Sequence, residues 1–359
     1  MNFKEYVNKN KEIQNKLLLF FDREDEIEEN YNNLIELFTK YKMVGNPHEL
    51  RSLLYLISNI SNNHYQTPRF RWKIARLLES LKEPLKNNFT NQQIFSIFKN
   101  NKAILLILIE QEIITFDETI LKEISSRKYF KKSYHQFFFP EIHPLIEKMK
   151  INTFNEETNS NEENESNSSE SSSDYDEDED DDDNNTEIDP NFYQTRDFEG
   201  FYKKISKKLP ENFHKERQIG QNENEICKLI RKDSIDEFIT YVNKNDYPLN
   251  SYIKKSIFET NDFLNKQNKT RLIEYAAFFG STQIFKYLYK NGVELTSSLW
   301  LYGIHSDNAE IIHLLEENEV KPPNESYEEC IKESIKCHHN DVTNYIQSNL
   351  INKDIPSID

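Results

Sequence analysis

Cys330, Cys337, His338 and His339 crowd into one short stretch. Thiolate and imidazole are the ligands that zinc prefers. The spacing matches no common zinc site, however. Residues 337 to 339 are adjacent and fan out in different directions around a helix end. Cys330 and Cys337 stand two helical turns apart and are expected to face inward. His135 and His143 flank the aromatic run Phe137–Phe139, and Glu141 is near both, which offers an acid–base pair by composition. Pro140 and Pro144 instead mark a turn between helices, where aromatic residues seal a domain edge. His305 and His313 are expected as surface or cap residues of helices. The chain carries no glycine-rich phosphate loop, no His-Glu-x-x-His and no Gly-x-Ser-x-Gly. These patterns assign no catalytic, metal-binding or cofactor-binding residue, and the expectation is a protein that is not an enzyme and needs no cofactor.

The elements that would position any site are helices. In Thr270–Gly292, residues Leu272, Tyr275, Ala276 and Phe279 recur at helical spacing, and Ile284, Phe285 and Leu288 form a second apolar stripe. Gly280 between them can take the left-handed conformation that ends a helix, and Ser281 suits the N-cap of the next. A hairpin with one apolar face must bury it against copies of itself. Laying Ile284 on Ile311 gives a second copy, with Gly303 at the small position of Ala276 and Asp307 in place of Gly280. Laying Ile311 on Val342 gives a third, with Ser334 at the small position and His338 at the turn. The intervals, 27 and 31 residues, fall in the range of stacked repeats. A weaker copy at 94–114 puts Ser96 and Ile97 at the small pair and Asn100 at the turn. It reads equally well as a plain buried helix pair.

The best copy resembles the second half of an ankyrin repeat. Ala276-Ala277, Gly280-Ser281, Gln283-Ile284-Phe285, Tyr287-Leu288 and Gly292-Val293 stand where that motif has Ala-Ala, Gly-His, Glu-Ile-Val, Leu-Leu and Gly-Ala. The Thr-Pro-Leu-His turn is reduced to Thr270-Arg271-Leu272-Ile273, and the short connectors imply stunted β-fingers. With Leu56–Phe70, Ile94–Leu106 and Phe137–Ile146, the chain is similar to a protist-expanded ankyrin-related branch whose N-terminal helical half is a domain of unknown function. The resemblance implies architecture and partner binding, and it supplies no catalytic residue. By its register the variable positions of the inner helices are Phe278 and Phe279, His305 and Ser306, and Lys336 and Cys337. Phe278, Phe279, His305, Ser306 and Lys336 are therefore the candidate partner contacts.

The expected fold class is all-α, an ankyrin-like solenoid of degenerate repeats in two helical blocks separated by a disordered acidic insert. The blocks are 1–150, a helical domain with the possible repeat at 94–114, and 196–352, the repeat domain, followed by a tail at 353–359. The insert, 151–195, is low in complexity. Its first 40 residues, 151–190, hold 17 Asp and Glu and no Lys or Arg, including the run Asp176–Asp183. The net charge of −17 is thus local, since the remainder has 45 acidic and 45 basic residues. It gives no argument for nucleic-acid binding. Ser171, Ser173 and Thr186 each precede an acid by three residues, the spacing of an acidophilic, casein-kinase-type phosphorylation site. The alternative is a solvated spacer. Lys203, Lys204, Lys207 and Lys208 form a basic cluster that reads as a nuclear-import signal, a dock for the acidic tract or the wet face of a helix.

Three sparse cysteines do not make a disulfide framework. The longest apolar run, Ala103–Ile109, is too short to span a bilayer, and the N-terminus has no secretory pattern. A cytoplasmic protein is expected, with the nucleus open, whose work is adaptor or scaffold binding of a protein partner through its repeats. The rival is binding of basic proteins, in the manner of a histone chaperone, by the acidic tract. Neither the partner nor the oligomeric state is legible.

Overall fold

Periodic apolar residues and scarce glycine give helices almost everywhere. The computed structural model describes residues 3–63, 69–125, 132–158, 205 and 209–351, and among them are 20 α-helices and no strand. No helix of the described residues is long and apolar enough to cross a membrane. The acidic run, Ser171, Ser173, Thr186, the four clustered lysines and the tail at 353–359 lie outside the described residues.

The chain divides into two compact units, one built from 1–114 with 214–359 and the other from 115–213. In the first unit, α1 (Phe3–Asp22), α2 (Ile27–Lys40), α3 (Pro47–Asn63), α4 (Phe70–Ser80), α5 (Lys82–Asn88), α6 (Asn91–Phe98) and α7 (Lys102–Glu110) precede the repeats. Helix α1 packs on α2, α3 and α4, and α6 and α7 add to α3 and α4. Lys73 of α4 is buried, and its Nζ donates to the carbonyls of Phe21 (2.8 Å) and Arg23 (2.6 Å) and to Glu24 Oε1 (2.8 Å). It satisfies carbonyls that the end of α1 leaves open, where a cation also suits the helix dipole. Pro84 does not end the helix before it. The helix stops at Ser80, and Pro84 sits in the first turn of α5, where its missing N–H is not needed.

After α11 (Phe213–Ile219) come α12 (Glu225–Arg231) with α13 (Ile235–Lys244), the short α14 (Asp262–Lys266), and three hairpins. These are α15 (Leu272–Phe279) with α16 (Thr282–Lys290), α17 (Leu299–Ser306) with α18 (Ala309–Glu317), and α19 (Glu328–Lys336) with α20 (Asn340–Tyr345). The first helices pack in the order α12, α15, α17, α19. Ala276, Ala277 and Ser334 are fully buried along this line. A Cβ at Gly303 would lie 3.1 Å from Ile311 Cγ2, which explains the small residue there.

Each of these hairpins, and the α12–α13 pair before them, turns through a left-handed residue: Asp233 (φ 49°) in α12–α13, then Gly280 (68°), Asp307 (50°) and His338 (62°). The second helices close the same way, at Asp246, Gly292 and Glu319. The residue after each, Tyr247, Val293 or Val320, donates its N–H to the carbonyl five residues back, at 3.0, 3.1 and 3.0 Å. That is the Schellman closure. The weaker copy at 94–114 shares only half of the pattern. Helix α7 ends at left-handed Glu112, with Ile113 bonded back to Leu108 at 2.8 Å, but the turn before α7 holds no left-handed residue. Of a projecting β-finger one antiparallel bridge exists among the described residues, Tyr252 with Arg271.

Ser281 does occupy the N-cap of α16, but its side chain makes no bond to that helix. Its Oγ donates to the carbonyl of Ile230, one hairpin back, at 2.5 Å. Capping comes from the preceding turn, where the Asp233 carboxylate accepts from the N–H groups of Gln283 (3.0 Å) and Ile284 (2.9 Å). The same step recurs at the next joints. Asn308 Nδ2 donates to the Gly280 carbonyl (3.2 Å), and His339 Nδ1 donates to the Ile304 carbonyl (2.8 Å).

In the second unit, α8 (Glu118–Ser125), α9 (Lys132–Phe137) and α10 (Phe139–Thr158) surround Phe116, Ile120, Phe137, Phe138 and Ile142. The expected turn at Pro140 and Pro144 is instead the start of α10, with Pro140 in its first turn and Pro144 within it. Helix α10 also continues to Thr158, past the expected start of the insert.

The hairpin joints predict a graded response. Asp233→Ala is expected to cost about 1–2 kcal/mol, the loss of a cap, whereas Asp233→Asn keeps an acceptor and tolerates the left-handed backbone. Denaturant unfolding of both variants checks this.

Candidate functional site

The five candidate contacts do not make one open surface. Phe278 is fully buried, its ring stacked on Phe263 with centroids 5.7 Å apart and planes 7° apart. His305 is buried as well, 4.1 Å from the same Phe263 ring. Phe279 is half-buried between Tyr275, 4.7 Å away, and the Arg231 guanidinium at 5.8 Å. Ser306 is half-buried and donates to the Gly303 carbonyl at 2.7 Å. Lys336 alone is exposed, and its Nζ lies 2.8 Å from Glu333 Oε1. Phe278 and His305 are therefore interior residues and not exposed anchors. The reason is α14, which the repeat pattern does not contain and which lays Phe263 over both.

The chain's own N-terminal helices cover the same side. Asn63, the last residue of α3, donates its Nδ2 to the Lys336 carbonyl at 3.0 Å. Asn261 donates to the Asn62 carbonyl at 3.0 Å, and Lys102 Nζ to the Ile257 carbonyl at 3.3 Å. Behind this junction Glu259 is buried and accepts from the N–H groups of Asn261 (2.9 Å) and Asn222 (3.4 Å). Burial raises its carboxyl above the ordinary range, and those bonds offset it only in part.

A shallow groove runs between Val293–Ser297 and Asn318–Lys321, with Tyr289 at its edge. Tyr289 is 37% exposed, and its hydroxyl donates to Asn318 Oδ1.

One polar cluster stands inside the repeats. His305 Nε2 lies 2.8 Å from Glu333 Oε1, and His305 Nδ1 lies 3.5 Å from Cys337 Sγ. Glu333 and Cys337 are four residues apart on the last turn of α19 and its C-cap, so they share a face. Burial lowers the His305 pKa, and the bond to Glu333 opposes this incompletely. Burial also acts on Glu333, pushing it up, but the bonds from His305 and Lys336 outweigh this and hold it at about 2. Burial pushes the Cys337 thiol up. The carboxylate accepts Nε2–H, and the sulfur, 3.5 Å from Nδ1 and 3.9 Å from Nε2, lies against the side of the ring and not along either nitrogen's lone pair. Sequence spacing hid it, because His305 and Cys337 lie 32 residues apart. His339, grouped with Cys337 by sequence, points instead to the Ile304 carbonyl.

His135, expected beside Glu141 as an acid–base pair, is fully buried in the second unit. Burial drives its pKa down to about 4, against a partly opposing bond to the backbone of Ile124.

Two outcomes follow. Phe278→Ala is expected to lower stability by about 3–5 kcal/mol, the cost of a core aromatic, as measured by thermal or denaturant unfolding. His135 is neutral when folded and has a free pKa of about 6.5. Its contribution is therefore full above about pH 6.5 and is lost as pH falls toward about 4, because the unfolded chain binds the proton first. A histidine NMR titration is expected to place its midpoint near 4. No family model, no curated protein and no solved structure matches this chain.

Proposed function

We propose that α15–α20 are degenerate ankyrin-like repeats and that the chain is a protein-interaction scaffold which takes its partner along the connectors. The observation that carries this reading is the open groove between two successive connectors, edged by the half-exposed Tyr289. Aromatic residues at the edge of a groove, with a hydroxyl at one end and an apolar ring at the other, are frequent anchors of protein interfaces. The recurring left-handed turns and the ordered packing of first helices support the repeat reading. The inner-helix positions are unsuited to the role, since Phe263 and Asn63 already occupy them. No enzymatic role is proposed: Cys337, which has an imidazole in reach, is fully buried with its thiol protonated.

The test uses the full chain as bait, beside Tyr289→Ala and a deletion of 156–189. A partner kept by the deletion and weakened by about 30-fold or more in Tyr289→Ala, the loss of about 2 kcal/mol typical of an anchor, supports the groove. A partner that ignores Tyr289→Ala but is lost with the acidic run, and falls away in moderate salt, overturns it in favour of the tract.

A further inference from the structure

Two sets of helices share the first unit without sharing an apolar core. Helices α1–α7 pack among themselves and the repeat helices pack among themselves. Among the described residues no close helix-on-helix packing crosses between the sets. The repeat core runs from Ile226 to Leu350, includes Cys227 and Cys330, and takes no residue from α1–α7.

Hydrogen bonds cross instead. Asn63 donates to the Lys336 carbonyl (3.0 Å), Asn261 to the Asn62 carbonyl (3.0 Å), Lys102 to the Ile257 carbonyl (3.3 Å) and Gln218 to Glu110 Oε1 (3.0 Å). Asn63, Asn101, Lys102, Glu259 and Asn261 are buried at this joint. Water can replace each bond when the two sides part, so separation forfeits only its small net worth. A polar joint of this kind is the usual setting for relative motion.

Cys337 belongs to the joint and not to the repeat core. It is fully buried, yet it stands outside the apolar cluster that holds the other two cysteines. Its Sγ lies 4.0 Å from Asn63 Oδ1, at the last residue of α3. The end of α3 therefore closes the inner face of the last two hairpins.

We propose that α1–α7 form an autoinhibitory cover, held on the inner face of the repeats by this polar joint, which opens while both sets of helices stay folded. Opening is a sub-global event, cheaper than unfolding either set. It uncovers Cys337 and the end of α19. The inner face then becomes available to a partner, whether or not the connector groove binds one.

The experiment is iodoacetamide labelling of the full chain at several urea concentrations below the unfolding transition, with each cysteine followed by peptide mass spectrometry. Cys337 is expected to label first, at a rate that changes little with urea, because opening the joint exposes little surface. Cys227 and Cys330 are expected to wait for the repeat core to unfold and to quicken steeply with urea. Ile284→Val trims a fully buried core residue. It is expected to speed Cys227 and Cys330 about 2–12-fold and to leave Cys337 unchanged. Lys102→Met removes a joint bond on α7, far along the chain from Cys337, and is expected to speed Cys337 about 5-fold or more. Circular dichroism confirms that each variant folds. One common rate and urea dependence for all three cysteines overturns the proposal. So does a Cys337 rate that ignores Lys102→Met, the result that fraying of α19 alone would give.

Discussion

A helix that stops leaves carbonyls without partners, and in this chain the next hairpin supplies the missing donors. Ser281 reaches back to Ile230, Asn308 to Gly280 and His339 to Ile304. Each bond leaves the N-cap position of a second helix and ends on the closing turn of the previous first helix. The donor is an alcohol once, an amide once and an imidazole once, so the geometry is held while the chemistry varies. Because the acceptor always belongs to the neighbour, a hairpin cut out of the stack would bury carbonyls that no longer have a donor. Stacking order is thereby written into hydrogen bonds as well as into apolar contact.

This constraint also explains what the sequence reveals and what it conceals. The turn positions were legible, since a glycine at 280 and its aligned partners Asp307 and His338 mark one backbone conformation, and all three adopt it. Asp and His at that position show that the backbone demand outweighs the usual preference for glycine. The small residues Ala276, Gly303 and Ser334 were legible for a related reason, because close helix approach restricts volume at a fixed register. Prolines misled twice. Pro140 and Pro144 read as a turn, yet Pro140 sits in the first turn of α10, where a missing N–H is harmless, and Pro144 lies within the helix. What stayed hidden is everything that depends on pairing distant segments. Phe263 over Phe278 and Asn63 under Lys336 follow no period, so Phe278 read as open when it is closed.

The junction within the first unit is unusually polar for an interior. The side-chain amides of Asn63, Asn101, Asn222 and Asn261 donate hydrogen bonds to the backbone carbonyls of Lys336, Lys254 and Asn62 and to the Ser61 hydroxyl. Amides suit this role because each carries both a donor and an acceptor and adds no charge. Glu259 and Lys102 are the charged exceptions, and Glu259 is a carboxyl held among N–H donors in a place where burial resists its ionisation. Apolar packing of helix on helix provides most of the burial, and the amides decide which surfaces meet.

The long separation across that junction has a consequence during synthesis. Lys102 bonds to a carbonyl 155 residues further along the chain. At roughly 5–20 residues per second a ribosome needs on the order of ten to thirty seconds to make that stretch. For that interval the surfaces of α3 and α7 have emerged while their covering segment does not yet exist. The polar junction is then an asset of timing: amides and a lysine facing water tolerate the wait, whereas an apolar face of the same area would invite association with other nascent chains.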